Sequence, residues 1–193
     1  GPILDRNGKL LALTIQKNSV TSWAPAVREP EDSAYLLSKL LGANSQDILR
    51  RIKQSEGFTY IQRHITSDQS AAIRKAKDKG QLRGIYLEPE QTRSYPEGEL
   101  AAHVIGFVGV DNIGLEGIEN TYNNVLAPDT IPSKGTKVFG NRLFLTIDVN
   151  VQYAAEKIAN SAISKHDADK VFVLVAKADT GEILAYASQP SYN

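Results

Sequence analysis

The residues of this chain best placed to do chemistry are charged groups set beside glycines: Asp5 and Arg6 before Gly8, Arg93 before Pro96, and Glu119 after Gly114 and Gly117. An arginine facing carboxylates makes charge-assisted, fork-like hydrogen bonds, which fix the geometry of chain segments rather than transfer a group. If such an arginine is partly buried it needs its carboxylate, so Glu119 is expected to pair with Arg93 or Arg6. The plainer alternative is that all four charges are surface residues flanking ordinary turns. Group-transfer chemistry has a different signature. A serine activated by a lysine one helical turn later requires Ser-x-x-Lys, and no serine here has a lysine three residues on. Ser133-Lys134-Gly135-Thr136 and Ser191-Tyr192-Asn193 match catalytic motifs by letters alone. His64, His103 and His166 lie far apart, without His-x-x-x-His or carboxylates at metal-ligand spacing, so each is expected to be structural or on the surface. Glu88-Pro89-Glu90 reads as a solvated turn rather than a catalytic carboxylate pair. Neither a cofactor nor a metal is expected.

The composition narrows the class further. The chain has 193 residues, 41% hydrophobic and 23% charged, which is the balance of a folded chain forming one large domain or two small ones. Lysine plus arginine and aspartate plus glutamate number 22 each, giving a net charge of zero. That balance argues against a nucleic-acid partner, which calls for a basic stripe. There is no cysteine, hence no disulfide and no thiolate metal site. No apolar run reaches the about 18–20 residues that span a bilayer. The lack of methionine and the opening Gly1-Pro2 lead us to expect a piece cut from a longer protein.

The elements that must position the charged residues follow from local pattern. Asn7-Gly8, between the apolar runs 3–5 and 9–15, predicts a hairpin, and residues 19–24 read as a separate strand. Between 31 and 80 the pattern is mainly helical. Ala34, Leu37, Leu40 and Leu41 recur at helical spacing with Gly42 as a stop. Asn44 caps a second helix carrying Ile48, Leu49 and Ile52. Residues 58–65 form a strand, and Thr66 to Gln69 form a capping box opening a helix that ends at Gly80. A strand is expected over 84–88, and a Pro- and Gly-bearing linker over 127–140. Beyond it come a strand at 143–147, a helix capped by Asp148 and running to about 165, and a hairpin of 171–176 with 182–187 around Ala178-Asp179-Thr180-Gly181. The helix should bury Val151, Ala154, Ala155, Ile158 and Ala162. Val171, Val173, Val175, Ile183 and Ala185 should present an uncovered apolar or unpaired edge.

Four segments in a fixed order carry a family resemblance: ILDRNGKLLA, RSYPEGELAAHVIGFVGVDNIGLEGIENTY, FLTIDVNVQYAAE and KADTGEILAYASQPSYN. Together they resemble the N-terminal, non-catalytic pedestal of class B penicillin-binding proteins, the peptidoglycan D,D-transpeptidases. The resemblance leaves residues 25–85 as the variable part, and fewer residues separate Tyr122 from Leu143 than in many relatives. It implies an α+β fold: a pedestal domain over 1–140 with an inserted α/β subdomain at 25–85, then the first helix and hairpin of a transpeptidase domain at 141–193. It implies that Asp5, Arg6 and Gly8 form a first motif, Arg93 and Pro96 a second, and Gly114, Gly117 and Glu119 a third, meeting where pedestal and catalytic domain join. It also implies a role in bacterial cell wall synthesis or division. The expected partners are membrane proteins of the division or elongation machinery, the chain's own transpeptidase domain, and a second copy of the chain in a homodimer. A helix upstream of Gly1 is expected to anchor the protein on the extracytoplasmic, periplasmic side of the bacterial membrane. The rival readings are a self-contained enzyme or small-ligand receptor built around Arg83 and Arg93, and a β-lactam-sensing module.

Without Ser-x-x-Lys, the purified chain is expected to form no covalent adduct with a β-lactam. Intact mass should be unchanged after incubation with penicillin, and a gain of one drug mass would refute the non-catalytic reading.

Overall fold

The computed structural model describes residues 1–128 and 140–191. Most of the expected linker, with Ser133-Lys134-Gly135-Thr136, lies outside the described residues, as do Tyr192 and Asn193. The elements in chain order are β1 (Ile3–Leu4), β2 (Leu10–Trp23), α1 (Pro30–Leu41), α2 (Ser45–Gln54), β3 (Phe58–Ile65), α3 (Ser67–Asp78), β4 (Ile85–Ser94), α4 (Ala102–Ile105), α5 (Gly117–Thr121), α6 (Asn123–Leu126), β5 (Leu143–Phe144), α7 (Val149–His166), β6 (Val171–Ala176) and β7 (Ile183–Gln189). The architecture is α+β. Two compact units form, one from Gly1–Ile15 with Arg93–Asn193, the other from Gln16–Thr92.

In the unit of residues 16–92, local signals set the helix ends. Gly42 takes the left-handed conformation (φ 70°) and returns its N–H to Ser38 O, closing α1. Asn44 accepts from the amides of Gln46 and Asp47 to open α2, and Thr66 and Gln69 exchange hydrogen bonds to open α3. The apolar faces of these helices meet β3 and the end of β2 in one core containing Val20, Leu37, Ile48, Ile52, Ile61 and Ile73. β3 runs antiparallel to β2, with Asn18 opposite Ile65 and Trp23 opposite Phe58.

Two strand expectations change. The runs 9–15 and 19–24 are one strand, β2, of 14 residues. Gln16 and Lys17 interrupt the apolar pattern because they are exposed, while the backbone stays extended through them. Ser19, Val20, Thr21 and Ser22 are all fully buried, so no alternation of inward and outward residues marks this stretch. β4 continues past Glu88 and through Pro89 to Ser94.

Glu88-Pro89-Glu90 is therefore not a solvated turn. Glu90 sits within β4, with its side chain 14% exposed. It accepts from Arg63 Nη2 at 2.5 Å and Nε at 3.2 Å, from Tyr60 Oη at 3.2 Å, and from Ser19 Oγ. Ser19 Oγ in turn accepts the His64 amide at 3.1 Å, and His64 Nε2 stands 3.8 Å from the carboxylate. Glu90, Arg63, Tyr60 and Ser19, which would be costly to bury singly, thus satisfy one another, while His64 Nε2 makes no hydrogen bond among the described residues.

In the other unit, β1 pairs antiparallel with β2 (Ile3 opposite Ala12) and parallel with β5 (Ile3 opposite Leu143). Gly8 supplies the positive φ (82°) of the β1–β2 turn. Ile3, Leu11, Leu100, Ile105, Leu126 and Val149 share a core. Asp148 caps α7 by accepting from the amides of Asn150 and Val151. α7 packs on the antiparallel β6–β7 hairpin with only part of the expected stripe, Val151 and Ala155. Gln152, Ala155 and Ala159 are buried, whereas Ala154 is exposed and Ile158 is 62% exposed. Alanines on both sides of the contact (Ala155 and Ala159 against Ala185 and Ala187) select this face, because they let helix and sheet approach closely. The uncovered side of the hairpin is correspondingly different. Val171, Val173 and Val175 pack toward α7 and Ala185 is fully buried, leaving Phe172, Leu174 and Ile183 exposed.

The Glu90 network generates a pH prediction. Hydrogen bonds from Arg63 above all, helped by those from Ser19 and Tyr60, outweigh desolvation and hold the carboxyl down at about 2, against an ordinary value of 4.5. A folded value below the unfolded one means the contribution is full above about pH 4.5 and is lost as pH falls toward 2. Glu90→Gln should lower stability at pH 7 by roughly 1.5–3 kcal/mol and flatten the acid limb. Thermal melts between pH 2 and 7 check this; parallel curves for the two proteins would refute it.

Candidate functional site

Asp5 is 1% exposed at the end of the short strand β1. Its Oδ1 accepts the amides of Asn7 and Lys9, each at 2.8 Å, which closes the turn that Gly8 makes possible. Its Oδ2 accepts the amide of Val149, the first residue of α7, at 3.2 Å. A carboxylate at a helix N-terminus answers both the free amide and the positive end of the helix dipole. The turn residues reinforce the same junction. Arg6 N donates to Ile147 O at 2.9 Å, Asn7 Nδ2 donates to the Asp148 carboxylate at 3.0 Å, and Arg6 Nη2 lies 3.3 Å from Glu182 Oε2. The hydrogen bond from Asn7, then those from the helix amides, lower the Asp148 carboxyl below its ordinary range. Residues 5–7 thereby hold the start of α7 and the turn before β7.

A second contact fixes α7 farther along. Glu156 Oε1 accepts the amide of Ala101 at 2.7 Å and Gln152 Nε2 at 2.8 Å. Ala101 carries a positive φ (57°) just before α4. Gln152 is fully buried, and its amide group also bonds both backbone groups of Tyr186 in β7, each at 2.8 Å. Sequence reading missed Glu156 and Gln152. Both look like ordinary polar positions of an exposed helix face, and no local signal distinguishes them.

Arg93 and Glu119 form a separate buried cluster. Arg93 Nε donates to Glu119 Oε1 at 2.7 Å, with side chains only 5% and 3% exposed. Arg93 Nη1 also donates to Gly1 O at 2.7 Å and to Thr14 Oγ1 at 3.2 Å. Tyr95 stands near the pair; burial first, then the charge of Glu119, pushes its phenol up, so it stays protonated. The glycines are the space around the carboxylate-bearing helix. A β-carbon on Gly114 would strike Glu119 O, and one on Gly117 would meet Val104 O at 2.6 Å and Gly106 N at 2.7 Å. Gly117 also has φ 59°. Gly114 N donates to Asn123 Oδ1 at 3.0 Å, tying the third motif to α6.

The motif residues thus occupy two places. Asp5, Arg6 and Gly8 are at the start of α7, while Arg93, Gly114, Gly117 and Glu119 gather around one ion pair. Glu119 takes Arg93, and Arg6 takes Glu182 instead. Pro96 is exposed in the turn after β4 and joins neither cluster. His103 lies at the third-motif side in α4, and His166 ends α7. Arg83 and Arg93, paired in one rival reading, fall in different units, and Arg93 is already engaged.

Removing Glu119 strands a buried guanidinium. Glu119→Ala should therefore cost about 3–5 kcal/mol, whereas Arg6→Ala, which breaks an exposed pair, should cost below about 1 kcal/mol. Chemical denaturation compares the two, and a Glu119→Ala protein as stable as wild type would refute the buried-pair account.

The chain is similar to known proteins. The family model "Penicillin-binding Protein dimerisation domain" matches residues 1–138. Peptidoglycan D,D-transpeptidase FtsI of Escherichia coli K12 is 30% identical over 219 residues, covering 100% of this chain and 36% of FtsI. The probable peptidoglycan D,D-transpeptidase PenA of Neisseria meningitidis serogroup A is 33% identical, with coverage of 100% and 36%. Stage V sporulation protein D of Bacillus subtilis is 29% identical, with coverage of 100% and 32%. The chain thus spans about a third of the length of these relatives. The crystal structure of penicillin binding protein 2X from Streptococcus thermophilus shares the fold at a TM-score of 0.67 and 22% identity, over 100% of this chain and 34% of that one. A peptidoglycan synthetase from Bifidobacterium adolescentis does so at a TM-score of 0.59 and 22% identity, over 99% and 43%. A buried arginine–glutamate pair, glycines at its contacts and a family match over residues 1–138 lead to one conclusion: the chain belongs to the penicillin-binding protein dimerisation domain family, as the N-terminal pedestal of a class B penicillin-binding protein.

Proposed function

We propose that the chain is the non-catalytic N-terminal module of a peptidoglycan transpeptidase, and that it positions the transpeptidase domain during cell wall synthesis or division. The observation that carries this reading is the hold of Asp5 on the first amide of α7. A carboxylate from the chain's first turn sets the origin of the helix that, by resemblance, opens the catalytic domain. The contact between Glu156 and Ala101 sets its rotation. Two fixed points on one helix define an orientation, whereas one would leave a pivot.

In this reading a serine of the parent, downstream of Asn193, attacks a peptide bond of a peptidoglycan stem peptide, releases the amine beyond that bond and holds the acyl group as an ester, until an amine of a neighbouring strand takes the acyl group and frees the serine. β-Lactams trap that serine. An anchor upstream of Gly1 places the module on the extracytoplasmic face of the membrane; among the described residues no helix is long and apolar enough to cross it. Membrane proteins of the division or elongation machinery, and a second copy of the chain, are the partners this reading assigns.

The test uses the full-length parent. Labelling with fluorescent penicillin reports the serine, and complementation of a depleted strain reports the oriented enzyme. Asp5→Ala and Glu156→Ala should each keep penicillin labelling while losing complementation. A parent that never labels, or both variants complementing as well as wild type, would overturn the proposal.

A further inference from the structure

The unit of residues 16–92 holds a polar cleft of about 310 Å³ that the pedestal role does not use. It is lined by Arg28, Glu29 and Ser33 on one side and by Gly80, Gln81 and Arg83 on the other. Arg28 and Glu29 lead into α1, where no side chain caps the helix. Ser33, in the first turn, is 3% exposed and lines the cleft. Among the described residues its hydroxyl makes no hydrogen bond, and neither guanidinium has an ion-pair or hydrogen-bond partner. Two exposed cations without partners and the solvent-reachable hydroxyl of an otherwise buried serine, around a helix N-terminus, form a cleft open to an anion.

The two walls are held in register. Gly84 (φ 77°) lies against the backbone of Ala26 and Val27, where a β-carbon would come within 2.6 Å of both, and Trp23 N donates to Gly84 O at 2.8 Å. Leu82, 2% exposed, anchors the second wall in the core between Gln81 and Arg83. The arginines therefore project from segments fixed to one another, which lowers the cost of ordering them on a ligand.

Charge selects the anion. Two arginines and Glu29 give the lining a formal charge of +1, and Glu31 and Asp32 in the same helix turn add negative charge nearby; a single carboxylate suits this balance, whereas a phosphate dianion would be repelled by it. Glu29 in turn offers a partner for a cationic group on the same ligand. The volume is at the lower end for small-molecule sites. We infer that this cleft binds a small ligand through a single carboxylate, with a zwitterion of amino-acid to dipeptide size as the best fit.

The experiment follows backbone amide signals by NMR in the ¹⁵N-labelled 193-residue chain at pH 7.5 and constant ionic strength. The probes are sodium acetate, glycylglycine and inorganic phosphate. Acetate and glycylglycine should shift the amides of Ser33, Gly80 and Gln81 saturably, with glycylglycine the tighter. Phosphate should bind about tenfold more weakly or worse, and Glu29→Gln should narrow that gap. Arg28→Gln and Arg83→Gln, each at an exposed position, should weaken glycylglycine by about tenfold or more while the rest of the spectrum stays native. Absence of saturable shifts at these amides, phosphate binding as tightly as the carboxylates, or undiminished binding by either natively folded arginine variant would overturn the inference.

Discussion

The Asp5 carboxylate is the constraint from which the unit of residues 1–15 and 93–191 takes its arrangement. It is buried, and a buried carboxylate without partners would be strongly destabilising. Three backbone amides satisfy it, two from its own turn and one from the N-terminus of α7. Because those donors are main-chain groups, they cannot move without moving the elements that carry them. The hairpin, the parallel pairing of β1 with β5 and the start of α7 are therefore set together. Asn7 and Asp148 repeat the link at the rim.

Close approach is the second theme of that unit, and small residues make it possible. Gly106, Gly114 and Gly117 let α4 and α5 meet at backbone distance around Glu119. Alanines on α7 and β7 do the same beneath Gln152. In both places a long polar side chain, Glu119 or Gln152, is buried in the same region and hydrogen-bonded. This is packing in which volume and polarity are specified jointly.

Glu119 and Glu90 solve the same problem in different units. Each is a mostly buried glutamate held by an arginine, with hydroxyl groups close by: Thr14 accepts from Arg93, and Ser19 and Tyr60 donate to Glu90. The arginine forks allow several acceptors to be bound at once, so the segments they join come from distant parts of the sequence. Such pairs are poor sources of net stability, but removing one partner strands the other charge and is costly.

Local chemistry in the sequence determined the caps and turns: Asn44, the Thr66–Gln69 box, Gly42, Asp148 and the Asn7-Gly8 turn depend on residues within a few positions of one another, so their amide and φ requirements can be read without the fold. It also determined the family, through the order of four motifs, and the candidacy of Arg93 and Glu119 as partners. What it did not contain was the environment of polar residues away from such motifs. Ser19 and Thr21 look like strand surface and are buried; Glu90 looks like a solvated turn and anchors a network; Gln152 and Glu156 look like the wet face of a helix and fix it in place. The face that α7 buries was misjudged for the same reason, since Ile158 is apolar yet the alanines allow the closer contact. Hydrophobic periodicity reports which face would prefer to leave water; which face actually does depends on the shape and hydrogen-bonding groups of the surface it meets, and only the tertiary structure supplies that surface.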